Sequence, residues 1–146
     1  MSASFTTFDQ VLQKLAALER AGGGDGPIPR ALAHCAQSIE LSMTGYPRLR
    51  GWLVRKLVGP MVKRKFLAKG EMSHDLEAPL DGAPQIDPSI TLPEAAARLR
   101  KAIAAFRAFD GELKPHLAYG ACTKTEYEAL HSMHVADHLR GTAEKR

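Results

Sequence analysis

Three of the six histidines, His131, His134 and His138, follow one another at spacings of three and four residues near the C-terminal end of the chain. On a helix they share one stripe, continuing a face that begins with Tyr127 and Leu130. Residues four apart on a helix have Cβ atoms about 5–6 Å from each other, so two imidazoles at i and i+4 can converge on one ion at about 2.0–2.1 Å. His134 and His138 have that spacing. His131 and His138 lie seven apart, about 10.5 Å along the axis, too far for both to ligate one ion with His134 between them. A third ligand must come from a facing helix, and His34 is the histidine such a helix would carry, because His74 and His116 fall in loops. The expected metal ligands are therefore His34, His134 and His138. Val135 stands where H-E-x-x-H has its glutamate, so the general base of a zinc protease is missing.

Three imidazoles leave coordination positions open to water or substrate, as catalytic sites do and closed structural sites do not. Such a site can activate water for hydrolysis or deliver a bound thiolate to an electrophile, and the residues do not choose between them. His131, one turn before His134, is the candidate catalytic side chain, relaying a proton or orienting a bound group; its other reading is core packing. Cys35 points about 100° away from His34 and reads as a small buried hydrophobe. Glu40 reads as a solvated or helix-pairing acid. His74 and Asp75 read either as part of a mouth over the site or as a turn.

The elements that must position these groups are helical. Apolar residues at 8, 11, 12, 15 and 18 follow helical spacing, with Thr6 and Asp9 or Thr7 and Gln10 to cap the start. The glycine run 22–24 with Asp25, Gly26 and Pro27 ends that helix, and a second follows from about Pro29 to Met43 before Thr44-Gly45-Tyr46-Pro47. Trp52, Leu53, Leu57, Val58, Met61 and Val62 outline a third helical piece, which Pro60 should kink or break near Gly59. Residues 70–89 read as a long loop punctuated by Pro79, Pro84 and Pro88. Thr91 with Glu94 forms a capping box for a helix whose apolar face runs through Leu99, Ala102, Ile103 and Phe106 up to Gly111. Thr123 with Glu126, or Thr125 with Glu128, opens a last helix expected to stop at Gly141. Nothing alternates with period two, so the fold class is all-α, four main helices plus an insertion.

With 146 residues, 45% of them hydrophobic, one domain with a sizeable core is expected. The two cysteines, Cys35 and Cys122, are too few for a disulfide framework. The chain starts with no basic-then-apolar leader pattern and has no run of roughly 18 apolar residues, which leads to the expectation of a soluble, cytoplasmic protein. Positive charge is local. Arg48, Arg50, Arg55, Lys56, Lys63, Arg64, Lys65 and Lys69 stand between positions 48 and 69 with no acid among them, and without that segment the formal charge moves from +4 to −4. This basic segment is expected to be a solvated helix face rather than a nucleic-acid or membrane contact.

The motifs His34-Cys35-Ala36-Gln37-Ser38-Ile39-Glu40, Ser42-Met43-Thr44-Gly45-Tyr46-Pro47, Met72-Ser73-His74-Asp75, Gly82-Ala83-Pro84 and His131-x-x-His134-x-x-x-His138-Leu139-Arg140 resemble a bacterial branch of the DinB-like metal-binding four-helix bundles. That superfamily includes the YfiT-like hydrolases and thiol-dependent transferases. The resemblance covers nearly the whole chain and implies a single DinB-like domain, residues 1–146, with an additional basic helical segment between helices 2 and 3. It implies nickel, zinc or a similar divalent ion held by one histidine of the second helix and an H-x-x-x-H pair of the last, which map onto His34, His134 and His138. Leu139-Arg140-Gly141 follows the last ligand where the commoner ending has Arg-Gly-Gln, so fold and ligands transfer more directly than activity. The expected function is a metal-dependent hydrolase or thiol transferase acting on a small molecule with a low-molecular-weight thiol as partner, without nucleic acid or membrane. The alternative is a non-catalytic, metal-stabilised interaction module. Homodimers are common in such bundles.

Overall fold

The computed structural model describes residues 4–22, 26–73 and 80–144, with side chains as far as Thr142. They form five α-helices, α1 (Phe8–Ala21), α2 (Ile28–Thr44), α3 (Gly59–Lys69), α4 (Leu92–Ala108) and α5 (Lys124–Glu144), with a π-helical turn, Val54–Val58, leading into α3. No strand occurs among the described residues; one isolated antiparallel bridge joins His116 and Gly120.

Local chemistry sets most of the boundaries. Thr7 and Gln10 make a reciprocal capping box at the start of α1, and Gly22, at φ 65°, ends it in the left-handed conformation that glycine adopts without strain. Thr91 and Glu94 cap α4 in the same way. At α5 the pair is Thr123 and Glu126, whose backbone and side-chain groups bond at 2.9 and 3.1 Å. Glu128 is used elsewhere: its carboxylate accepts the N–H of Phe8 at 3.0 Å, satisfying one of the free donors at the start of α1.

The irregularity expected near Gly59 takes the form of a π-turn just before Pro60, with the Gly59 N–H reaching back to the Val54 carbonyl. Two boundaries differ from expectation. The α4 helix stops at Ala108, and Phe109 is already extended at ψ 120°. The last helix runs past Gly141, which is buried and is not among the glycines with positive φ, so it does not end the helix.

One core joins α1, α2, α4 and α5 through Phe8, Val11, Leu15, Leu32, Ile39, Leu99, Ile103, Phe106, Tyr127 and Val135, all at most 1% exposed. Each such side chain contributes roughly 1.5–3 kcal/mol by leaving water. Ion pairs lace the rim: Arg98 grips Glu40 bidentately at 2.8 and 3.1 Å between α4 and α2, and Arg107 meets Asp9 at 2.8 Å between α4 and α1. Glu40 is thus a helix-pairing acid. A second apolar cluster, Met72, Leu130 and Met133 with Phe66 and Leu67, seats α3 on α5. At the start of α3, Gly59 allows a close approach to the segment between α4 and α5, since a Cβ there would stand 1.9 Å from the Ala118 carbonyl oxygen.

Except for half-buried Val62, the apolar residues that outline the helical piece around α3 do not turn inward. Trp52, Leu53, Leu57 and Met61 are each about 60% exposed. The segment is exposed as expected, but its outer face is apolar.

Candidate metal centre

Helices α2 and α5 bury polar side chains beside their apolar ones. Every buried polar residue described lies on one of these two helices: Gln37, Ser38 and Ser42 on α2, and His131, Ser132, Asp137, His138 and Thr142 on α5. A helix that buries polar groups must supply partners for them or place them around something else. Some find partners within the protein. Gln37 donates to the Pro84 carbonyl at 2.7 Å, and Ser42 donates to the Ile39 carbonyl at 2.6 Å. The Ser132 hydroxyl has none among the described residues.

His34, His134 and His138 come together. One ring nitrogen from each lies within 4.8 Å of the other two. Ring centroids are 5.1 Å apart for His34 and His134, and 4.8 Å for His138 with either of the others. Nε2 of His134 and Nε2 of His138 are 3.2 Å apart. Two nitrogens each about 2.0–2.1 Å from one ion, at angles between square and tetrahedral, are separated by roughly 2.9–3.4 Å, so the pair on α5 has the spacing of neighbouring ligands. The residues present fit a metal. The donors are all imidazole nitrogens, a set suited to zinc, nickel or a similar ion and unsuited to magnesium or calcium, which take oxygen.

A cavity of about 240 Å³ opens beside the cluster, with His34 and His134 in its wall. Buried Ser38 and Met72 and half-buried His116 also line it, as do exposed Arg48 and Arg50. The His116 ring accepts at Nδ1 from the N–H groups of Ala118 and Tyr119 at 3.1 and 3.2 Å and stacks on Tyr119 with centroids 4.3 Å apart. Burial pushes the Tyr119 hydroxyl up to about 12. The sequence left His116 in a loop without a role; the bridge from His116 to Gly120, with the Lys114 N–H donating to the Ser42 carbonyl and the Arg50 N–H to the Leu117 carbonyl, holds that loop at the cavity.

His131 reaches the cavity wall but sits in an aromatic cage, 5.1 Å from Tyr127 and 5.7 Å from Phe106 between centroids. Because the Ser42 hydroxyl donates to Ile39, its oxygen is left to accept from Nε2–H of His131, 3.2 Å away, which assigns the tautomer. Burial, with a smaller contribution from His116, pushes its pKa down to about 3, so it is neutral at physiological pH. It is not a ligand in this arrangement. Cys35, 1% exposed, is a buried hydrophobe as expected, and burial pushes its thiol far up. His74 and Asp75 lie outside the described residues.

Fold and site together define a class: an all-helical protein with an interhelical cluster of three histidines at the side of a cavity. The chain belongs to the family described as protein of unknown function (DUF1569), whose model matches residues 1–145. No curated protein and no solved structure gives a significant match.

Proposed function

We propose that the chain is a DinB-like four-helix bundle of α1, α2, α4 and α5 and a metal-dependent enzyme, with His34, His134 and His138 holding one divalent ion, nickel or zinc. The observation that carries this reading is the meeting of three imidazoles from two helices beside a cavity large enough for a small molecule. When bound, the ion supplies Lewis acidity for hydrolysis or for activation of a thiol. The chain's own residues supply the rest. His116 and Ser38 offer polar contacts inside the cavity, and neutral His131, bonded to Ser42, orients the wall rather than donating a proton at neutral pH.

Neither cysteine is poised as a nucleophile. Cys122 is pushed up to about 11 by burial, with Lys63 opposing, and Cys35 higher still. In the transferase form of the reading, the reacting thiol therefore comes from a small-molecule partner.

The test is elemental analysis of protein purified without an affinity tag, with calorimetric titration of zinc and nickel into chelated protein. One ion per chain is expected, together with turnover of thiol-plus-electrophile or ester substrates that His134→Ala abolishes. Equal uptake by the His34→Ala, His134→Ala and His138→Ala variants sinks the site. An occupied site whose removal lowers the melting temperature, with no substrate turned over, favours the non-catalytic module.

A further inference from the structure

All seven of the exposed large hydrophobic residues described lie between positions 49 and 61: Leu49, Trp52, Leu53, Val54, Leu57, Val58 and Met61. Leu53, Leu57 and Met61 recur at intervals of four, and the same outer face continues along α3 through exposed Arg64, Lys65 and Ala68. The opposite side is the anchored one. Gly59 packs on Ala118, Lys63 donates to the Ala121 carbonyl at 3.0 Å and meets Glu126 at 3.3 Å, and Phe66 and Leu67 join the cluster on α5.

Among the described residues no acid pairs with Lys56, Arg64, Lys65 or Lys69. The surface therefore combines an apolar strip containing tryptophan with flanking unpaired cations. A two-fold contact with a second copy would set this cationic segment against itself. Nucleic acid would answer the charge and leave the Leu, Val and Met side chains unused. An anionic lipid surface answers both, the strip entering the headgroup boundary and the cations meeting the headgroups.

We propose that the segment from Arg48 to Lys69 is a docking face for anionic membrane surfaces, lying in the interface. No described helix is long and apolar enough to cross a membrane, and docking of this kind requires none. Docking of this kind does not depend on the metal centre.

Trp52 is the sole tryptophan and is 62% exposed, so its emission reports the contact directly. The full-length protein is mixed with vesicles of phosphatidylcholine alone, or of phosphatidylcholine with phosphatidylserine, followed by co-sedimentation and Trp52 fluorescence. Partition and a blue shift are expected with the anionic vesicles only, weakening as salt is raised. Arg64→Gln and Lys65→Gln should each reduce partition about fivefold. Leu57→Ser with Met61→Ser should reduce it at least about tenfold, since each loses apolar contact with the bilayer. Both positions are exposed, so circular dichroism and melting temperature should match the parent. Equal partition into neutral vesicles, or variants that partition like the parent, overturns the proposal. So does a Trp52 shift that follows protein concentration without vesicles, which would assign the face to a second copy, or binding to duplex DNA with no vesicle partition.

Discussion

The seam between α2 and α5 and the outer face of the Arg48 to Lys69 segment break the same rule in opposite directions. The seam buries histidines, serines and an aspartate; the segment exposes leucine, valine, methionine and tryptophan. Everywhere else the division is ordinary, with Phe8, Leu99 and Phe106 inside and charged residues on the rim. Burying polar groups and exposing a contiguous apolar face both cost stability, and a helical core of this size needs neither to fold. The two exceptions are therefore where function is to be sought, and they differ in kind: converging imidazoles inside, an exposed apolar strip outside.

This contrast can be broken at three points. Phe106→Ala should cost about 3–5 kcal/mol in urea denaturation, because its ring is 1% exposed and meets Phe8 edge-on at 5.5 Å. A loss near zero would mean that the ordinary core is not where it has been placed. His131 comes next. Its folded pKa of about 3 lies below the ordinary histidine value near 6.5, so between these values the unfolded chain binds a proton that the folded chain does not. Stability should then fall as pH drops through that window, with a slope of up to about 1.4 kcal/mol per pH unit from this one group. Measured in chelator, His131→Phe should show a shallower slope than the parent; an unchanged slope would place the proton elsewhere. Smallest of all, Leu57→Ser with Met61→Ser should leave stability within about 0.5 kcal/mol of the parent, as for surface changes generally. A loss of several kcal/mol would show that this face is packed in solution.

Much of the site was legible because helical periodicity is a local property. The spacing of His134 and His138 sets their common direction once α5 exists, and the capping pairs at Thr91 and Thr123 announce their helices. His34 followed from a weaker inference, that the remaining ligand must lie on another helix, and the structure brings it to the other two. The loop residues were not legible. Nothing local indicates that His116 folds back through its bridge to Gly120, or that Arg48 and Arg50 stand beside the cavity. The direction of the third helical piece was also hidden. Periodicity reports that apolar residues share a face, but which way that face turns depends on Gly59 and Lys63 anchoring the other side. The boundary at Gly141 failed for a related reason, since glycine ends a helix by its backbone angle and permits close packing by its size, and composition does not separate the two.

The contact at Gly59 ties the two unusual regions together mechanically. The backbone of α3 rests directly on Ala118, and Leu117, Ala118 and Tyr119 form part of the cavity wall. At Gly59 no side chain separates them, and a Cβ there would collide with the Ala118 and Tyr119 backbone. Any side chain at position 59 would have to displace that backbone, so α3 and the wall beside the three imidazoles share one steric limit.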